Sequence, residues 1–268
     1  PMRGHGNVTG IDAYAPAEIA SRVQSAGQVK AGLPLDKLAT LGLLAGVFIG
    51  FGAALFTAVM TGGALGFGPG RLLGGVAFSL GLVLVVVAGA ELFTGNALIV
   101  MAWAQREVSS VALARNWAVS LVANGAGAIL LAIAVHHSGV LELGGMKATA
   151  TSIAEYKAKL SFKEAFVRGI LCNVLVCLAV WLSFACHSVT DKILAIIFPI
   201  AAFVALGFEH SIANFYLLPV GMLAGAPIGV LDIIANLVPV TLGNVVGGAG
   251  GVAAIYWLIY LRKSGEKV

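Results

Sequence analysis

Charge is what this chain has least of. Only 10% of its 268 residues are Asp, Glu, Lys or Arg, where a soluble domain carries about 25%. That shortage excludes an ordinary water-soluble globule. Cysteine is scarce as well. Cys172, Cys177 and Cys186 are odd in number and lie in or beside one apolar segment, which argues against a disulfide framework. Short strands of alternating polarity are missing, so a β-barrel is not expected. The net charge is +4, but no basic run is interleaved with aromatics, so nucleic acid is set aside. HExxH, GxSxG and P-loop patterns are missing, and Cys172, Cys177 and His187 share no metal-ligand spacing. No enzyme, metal or cofactor is expected. The stretch from Pro1 to Lys30 is polar and lacks an apolar core, so no cleavable leader is expected, and Pro1 ahead of Met2 reads as a cloning remnant.

Apolar residues are plentiful. They make up 59% of the chain, mean hydropathy is +0.98, and they cluster in runs near the ~20 residues that cross a bilayer. The sequence predicts an all-α membrane protein with six spans. These run over about 38–60, 72–103, 116–135, 166–184, 193–223 and 233–261, the second and fifth being broken. Thr61-Gly62-Gly63 through Pro69-Gly70 reads as a turn, and 136–163 as a long polar stretch. Residues 1–37 form a cytoplasmic segment in which Ile19, Val23 and Val29 suggest an amphipathic helix at the membrane surface. Residues 38–261 form the transmembrane domain and 262–268 a basic tail. The 35 glycines suit close helix packing in lipid.

Six spans put both termini on one side. That side holds ten cations: Arg3, Arg22, Lys30, Lys37, Arg106, Arg115, Lys192, Arg262, Lys263 and Lys267. The other holds six: Arg71, Lys147, Lys157, Lys159, Lys163 and Arg168. The bias favours cytoplasmic termini; the location expected for this multi-pass protein is a bacterial inner membrane.

The fifth run contains Gly207-Phe208-Glu209-His210-Ser211-Ile212-Ala213-Asn214. A carboxylate, an imidazole and an amide beside glycine do not suit a lipid-facing helix, where a central charge costs at least ~2.5 kcal/mol. Irregular backbone survives at that depth only inside protein or beside water. Gly89-x-Glu91-x-x-x-x-Asn96 repeats this pattern at an offset of 118, and Asn116 and Asn124 match Asn236 and Asn244 at an offset of 120. Chance recurrence in a Gly-rich chain is the bland alternative. Duplication of a three-span unit, about 38–135 and 164–261, accounts for both offsets. An odd number of spans inverts the second copy, so two broken helices meet near the midplane.

Broken helices leave N–H groups carrying a partial positive charge, which suits a small anion. Glu91 and Glu209, with Asn96 and Asn214, read as braces that accept loose N–H groups; proton transfer is the alternative. His210 is the one histidine within a span, and imidazole titrates near neutrality. Neutral, it donates a hydrogen bond to an anion; charged, it hands over a proton. The Thr94 hydroxyl lies in the opposite break and can bond it. A packing histidine satisfied by a carbonyl is the bland reading. Lys157, Lys159 and Lys163 can draw anions to the mouth, or simply face solvent and headgroups. A water or polyol pore also uses paired half-helices, but Asn96-Ala97-Leu98 and Asn214-Phe215-Tyr216 stand where it would carry Asn-Pro-Ala triplets.

Four stretches resemble the formate/nitrite transporter family: Ala90 to Asn96, Cys172 to Trp181, Gly207 to Asn214, and Val238-Pro239-Val240-Thr241-Leu242-Gly243-Asn244. The resemblance implies an aquaporin-like six-helix protomer in a homopentamer, one pore per protomer, that passes small monovalent weak-acid anions; the cost of desolvating a bare anion at greasy constrictions argues that a proton goes with it. The resemblance implies a central His210 with Thr94 as loop partner and Asn173 as polar neighbour. The family's outer-vestibule lysine falls on Lys157 and its inner one on Lys30. The resemblance also implies hydrophobic constrictions above and below the histidine, lined by Phe78, Leu82, Leu92, Phe93, Val176 and Phe203. Gly95 resembles nitrite and hydrosulfide members. Phe198-Pro199, Leu218-Pro219-Val220 and the Val238 stretch resemble formate channels, and the balance favours formate.

Overall fold

The computed structural model describes residues 12–262. Arg3, Lys263 and Lys267, counted above for sidedness, lie outside the described residues, as do 1–11 of the N-terminal segment and 263–268 of the tail. Everything regular among the described residues is helical. The order is α1 Pro16–Ala31, α2 Leu35–Met60, α3 Phe67–Val83, α4 Val100–Ala104, α5 Ser110–His137, α6 Met146–Ala158, α7 Phe162–Ala185, α8 Val189–Ala205, α9 Ser211–Leu223, α10 Val230–Val245 and α11 Ile255–Tyr260. A π-helical turn, Leu84–Gly89, extends α3. A longer one, Val246–Ala254, joins α10 to α11.

Among the described residues, five continuous helices are long and apolar enough to cross a bilayer: Leu35–Met60, Phe67–Gly89, Ser110–His137, Phe162–Ala185 and Val230–Tyr260. The 26 residues of α2 alone span about 39 Å, against an apolar thickness of about 30 Å. The fifth expected span is divided between α8, of 17 residues, and α9, of 13. The second break falls after Gly89, and the chain resumes through a 3₁₀ turn, Gly95–Ile99, into α4. Gly89 and Gly207 both sit at positive φ, +91° and +73°, which glycine enters without steric cost.

Helix α2 packs on α3 and α5; α7 packs on α8 and α10; α3 meets α8, and α5 meets α9. Small residues set these distances. A Cβ on Gly127 of α5 would collide with the Leu43 carbonyl of α2, and one on Gly247 with the Ile170 carbonyl of α7.

Several expectations need correction. The turn after α2 stops at Gly66, because Pro69 is accommodated in the first turn of α3, where its missing N–H costs nothing. Helix α5 begins at Ser110 rather than Asn116, capped by Ser109 Oγ, which accepts from Ala112 N–H. Arg115 therefore stands on a helix, not in a loop, and donates to the carbonyls of Ala31 and Leu33. Arg168, counted with the outer cations, belongs to α7, within the fourth span as expected. The polar stretch 136–163 contains α6, whose buried Ala150 and Ala154 seat it against α9. Helix α1 rests its Ile19, Val23, Gly27 and Ala31 edge on the protein, touching the 3₁₀ turn, α4 and α7. Val29 is 69% exposed, because it stands off the edge on which Ile19, Ala20, Val23, Gly27 and Ala31 are buried.

Gly127→Val is expected to cost about 1–3 kcal/mol by forcing α2 from α5. Gly250→Ala, whose Cβ meets nothing within 4 Å, is expected to change little. Thermal unfolding in detergent checks the contrast.

Candidate functional site

Two sets of hydrogen bonds hold the breaks, and they match residue for residue. In the first, Glu91 Oε2 accepts from Asn96 Nδ2 at 2.9 Å and Glu91 Oε1 meets Lys30 Nζ at 2.6 Å. Asn96 Nδ2 also donates to Asn116 Oδ1, and Asn116 Nδ2 donates to the Lys30 carbonyl. In the second, Glu209 Oε2 accepts from Asn214 Nδ2 at 2.7 Å and Glu209 Oε1 meets Lys157 Nζ at 2.8 Å. Asn214 Nδ2 donates to Asn236 Oδ1, and Asn236 Nδ2 to the Lys157 carbonyl. Lys30 is the penultimate residue of α1 and Lys157 the penultimate residue of α6. Each short amphipathic helix thus ends at the same place in its set.

The loose backbone groups go to asparagine rather than to glutamate, which corrects the expected bracing. Asn124 Oδ1 accepts from Phe93 N–H, and Asn124 Nδ2 donates to the carbonyls of Gly42 and Glu91. Asn244 Oδ1 accepts from Ser211 N–H, and Asn244 Nδ2 donates to the carbonyls of Gly169 and Glu209. All four asparagines, 116, 124, 236 and 244, are buried. Their spacing marked the repeat in the sequence but not this role. The sign was there: an amide on an apolar spanning helix needs a polar partner in protein.

The breaks meet at Thr94 and His210. Thr94 Oγ1 lies 3.0 Å from His210 Nε2, and both residues are buried. His210 is also the N-cap of α9, its Nδ1 accepting from Ala213 N–H at 3.1 Å. An accepting Nδ1 carries no proton, so the neutral ring carries its proton on Nε2 and donates it to Thr94. Thr94 is held in turn. Its carbonyl accepts from Asn173 Nδ2 at 3.2 Å and from Cys177 Sγ at 3.4 Å. Of the N–H groups at the start of α9, where the sequence reading expected a small anion to be favoured, those of Ser211 and Ala213 are taken by protein. What the start of α9 offers is its dipole and the His210 Nε2–H.

A cavity of about 610 Å³ reaches this point. His210, Phe78, Phe203, Lys157 and Glu209 stand in its wall. Phe78 and Phe203 meet edge to face at 5.6 Å, and Phe203 stacks on the His210 ring at 5.9 Å. Phe67, 82% exposed, and Leu206, 65% exposed, stand at its mouth. Leu82, Leu92, Phe93 and Val176 are buried, but they line no part of this cavity, and neither do Thr94, Asn173 and Lys30. Arg71, Tyr156 and Arg168 do line it. The sequence reading gave them no role, since nothing in their spacing links three separate helices.

Lys157→Met leaves the Glu209 carboxylate buried without its cation and is expected to cost about 3–5 kcal/mol. Adding Glu209→Gln removes both charges and is expected to recover most of that loss. Unfolding of the single and double variants checks the pair, and a double variant no more stable than Lys157→Met alone contradicts it.

A sequence profile of the formate/nitrite transporter family matches residues 17–258. The chain is 41% identical over 269 aligned positions to a probable formate transporter of Methanothermobacter thermautotrophicus, covering 92% of this chain and 97% of that one. It is 38% identical over 276 positions to the formate channel FocA of Escherichia coli K12, covering 95% and 97%. A solved structure described as a pentameric formate channel with formate bound superposes with a TM-score of 0.79 at 40% identity, covering 85% of this chain and 98% of that one. Another, described as an FNT family ion channel, gives 0.80 at 28% identity, covering 91% and 98%. On the length of the profile match and the identity to these relatives, this chain belongs to the formate/nitrite transporter family.

Proposed function

We propose that the protein conducts a small monovalent weak-acid anion, formate before nitrite or hydrosulfide, across a bacterial inner membrane, with proton and anion crossing together. The observation that carries this reading is the buried Thr94–His210 hydrogen bond at the end of a wide, cation-bearing cavity. The relatives described as formate channels support the choice of anion, and the pentameric one supports a homopentamer with a pore in each protomer. The matching hydrogen-bond sets support two inverted copies of one unit. They give six crossings, the fifth made of α8 and α9, with both termini cytoplasmic. Each copy then includes its short leading helix, α1 or α6, beyond the bounds read from the sequence.

The chemistry follows from desolvation. A bare anion loses its water at the Phe78 and Phe203 pair and gains no cation to replace it. The neutral acid crosses at far lower cost. His210 holds the anion through Nε2–H, in place of Thr94. Its Nδ1 lone pair is committed to Ala213 N–H, so adding a proton there breaks the cap of α9. The proton therefore comes from vestibule water: formate and hydronium become formic acid and water, and the acid moves on. Lys157 at the outer mouth and Lys30 at the inner one favour the anion on each side. Their pairing with Glu209 and Glu91 keeps the local charge near zero. Leu92, Phe93, Leu82 and Val176 make the second constriction beyond Thr94, and Asn173 keeps the Thr94 loop in place.

Uptake of formate, nitrite, hydrosulfide and water into proteoliposomes across a pH series tests the reading. Formate flux is expected to rise as pH falls and to carry protons inward. Fast water flow without anion flow contradicts it and favours a neutral-solute pore. His210→Ala is expected to lower proton-coupled formate uptake about ten- to a hundredfold, the worth of one hydrogen bond to a charged group. Unchanged, still pH-dependent uptake in that variant overturns the role of His210.

A further inference from the structure

We infer that the cavity above Phe78 and Phe203 is a binding site for an organic anion too large to pass, with a sulfonate or carboxylate head held by Arg71 and Arg168 and an aromatic body seated among the cavity's phenylalanines. Arg71 donates from Nε to the Ala205 carbonyl at 3.0 Å and from Nη2 to the Val204 carbonyl at 2.7 Å. Arg168 donates from Nη1 to Tyr156 Oη at 2.7 Å. Those are neutral partners. Neither arginine forms an ion pair with a carboxylate among the described residues. The one acid in the cavity wall, Glu209, is taken by Lys157. The wall therefore holds two guanidinium groups that the Glu209 charge reaches but does not pair, and each keeps N–H donors beyond the bonds named above. Fixed guanidinium forks of this kind match the paired oxygens of a carboxylate or sulfonate.

The rest of the cavity fits a larger molecule than the transported one. Its volume of about 610 Å³ lies within the ~300–1,000 Å³ of sites that enclose drug-sized ligands, whereas formate has a single carbon. Phe56, Phe67 and Phe208 add aromatic wall to Phe78 and Phe203. Phe78 and Phe203 pair edge to face in the same wall as His210, so an aryl anion seated against them fills the approach to the imidazole. It acts as a plug. The plugging consequence rests on reading this cavity as the pore's mouth; the binding site itself does not.

Benzenesulfonate is the probe, because it stays ionised and cannot cross as a neutral acid. Calorimetry on the detergent-solubilised full chain, with no formate present, is expected to show saturable binding, one molecule per protomer. Arg168→Gln touches no backbone contact of its guanidinium and is expected to weaken binding about tenfold, the worth of a charged hydrogen bond. Arg168→Lys keeps the charge but not the fork and is expected to fall between. Methanesulfonate, a head without a ring, is expected to bind more weakly than benzenesulfonate. The inference is overturned by no saturable binding to the native chain, by unchanged affinity in Arg168→Gln, or by methanesulfonate binding as tightly. In proteoliposomes, external benzenesulfonate is expected to slow formate uptake. If the native chain binds benzenesulfonate in this pattern yet moves no formate, the transport reading fails and the site stands; if formate moves but nothing binds, the reverse holds.

Discussion

A helix broken within hydrocarbon must find protein partners for every backbone group it releases, since each one left unpaired there costs several kcal/mol. Two asparagines meet much of that demand, while the N–H groups of Glu91 and Glu209 go to the carbonyls of Leu41 and Arg168 and that of Ala213 goes to His210 Nδ1. Asn124 and Asn244 each accept one N–H from a break and donate to two carbonyls, one within the break and one on a neighbouring spanning helix. Around them Glu91 and Glu209 tie Asn96 and Asn214 to Lys30 and Lys157. A buried carboxylate alone would be ruinous. With an ammonium group and an amide on its two oxygens it fixes geometry at little net charge.

Because the breaks are fixed in this way, their contents face each other. Thr94 and His210 meet in the interior, and His210 caps α9 with the nitrogen that does not face Thr94. One ring therefore has two structural obligations and a single exchangeable hydrogen bond. Phe203 lies against that ring, and Phe78 lies against Phe203. The passage toward the imidazole is greasy while the wall above it is cationic. On the proposed function, that ordering attracts an anion and then favours its neutral form, the sequence of demands a weak acid can meet and a strong acid cannot.

Much of this was legible in the chain because membrane sequences tolerate few polar residues, so each one signals. The glycine–carboxylate–amide pattern at Gly89 and Gly207 located both interruptions. A hydroxyl in one and an imidazole in the other suggested the contact that the structure has at 3.0 Å. Two kinds of feature were not legible. Helix α6 is built of small and polar residues and docks through Ala150 and Ala154, so it carries no apolar run to betray it. The Lys–Glu pairs join residues 61 and 52 positions apart, and Arg71, Tyr156 and Arg168 come from three helices. Only tertiary structure brings such partners together. The glutamates misled for a related reason: chemistry names an acceptor, but not which donor reaches it.

The central claim is that opposed breaks hold a neutral His210 with its proton on Nε2. Solid-state ¹⁵N spectroscopy of histidine-labelled protein in lipid at neutral pH, with the His210 signal assigned by its loss in His210→Asn, measures this directly. The account predicts an unprotonated Nδ1 and a protonated, hydrogen-bonded Nε2. A proton on Nδ1, whether as the other neutral tautomer or as imidazolium, would contradict it.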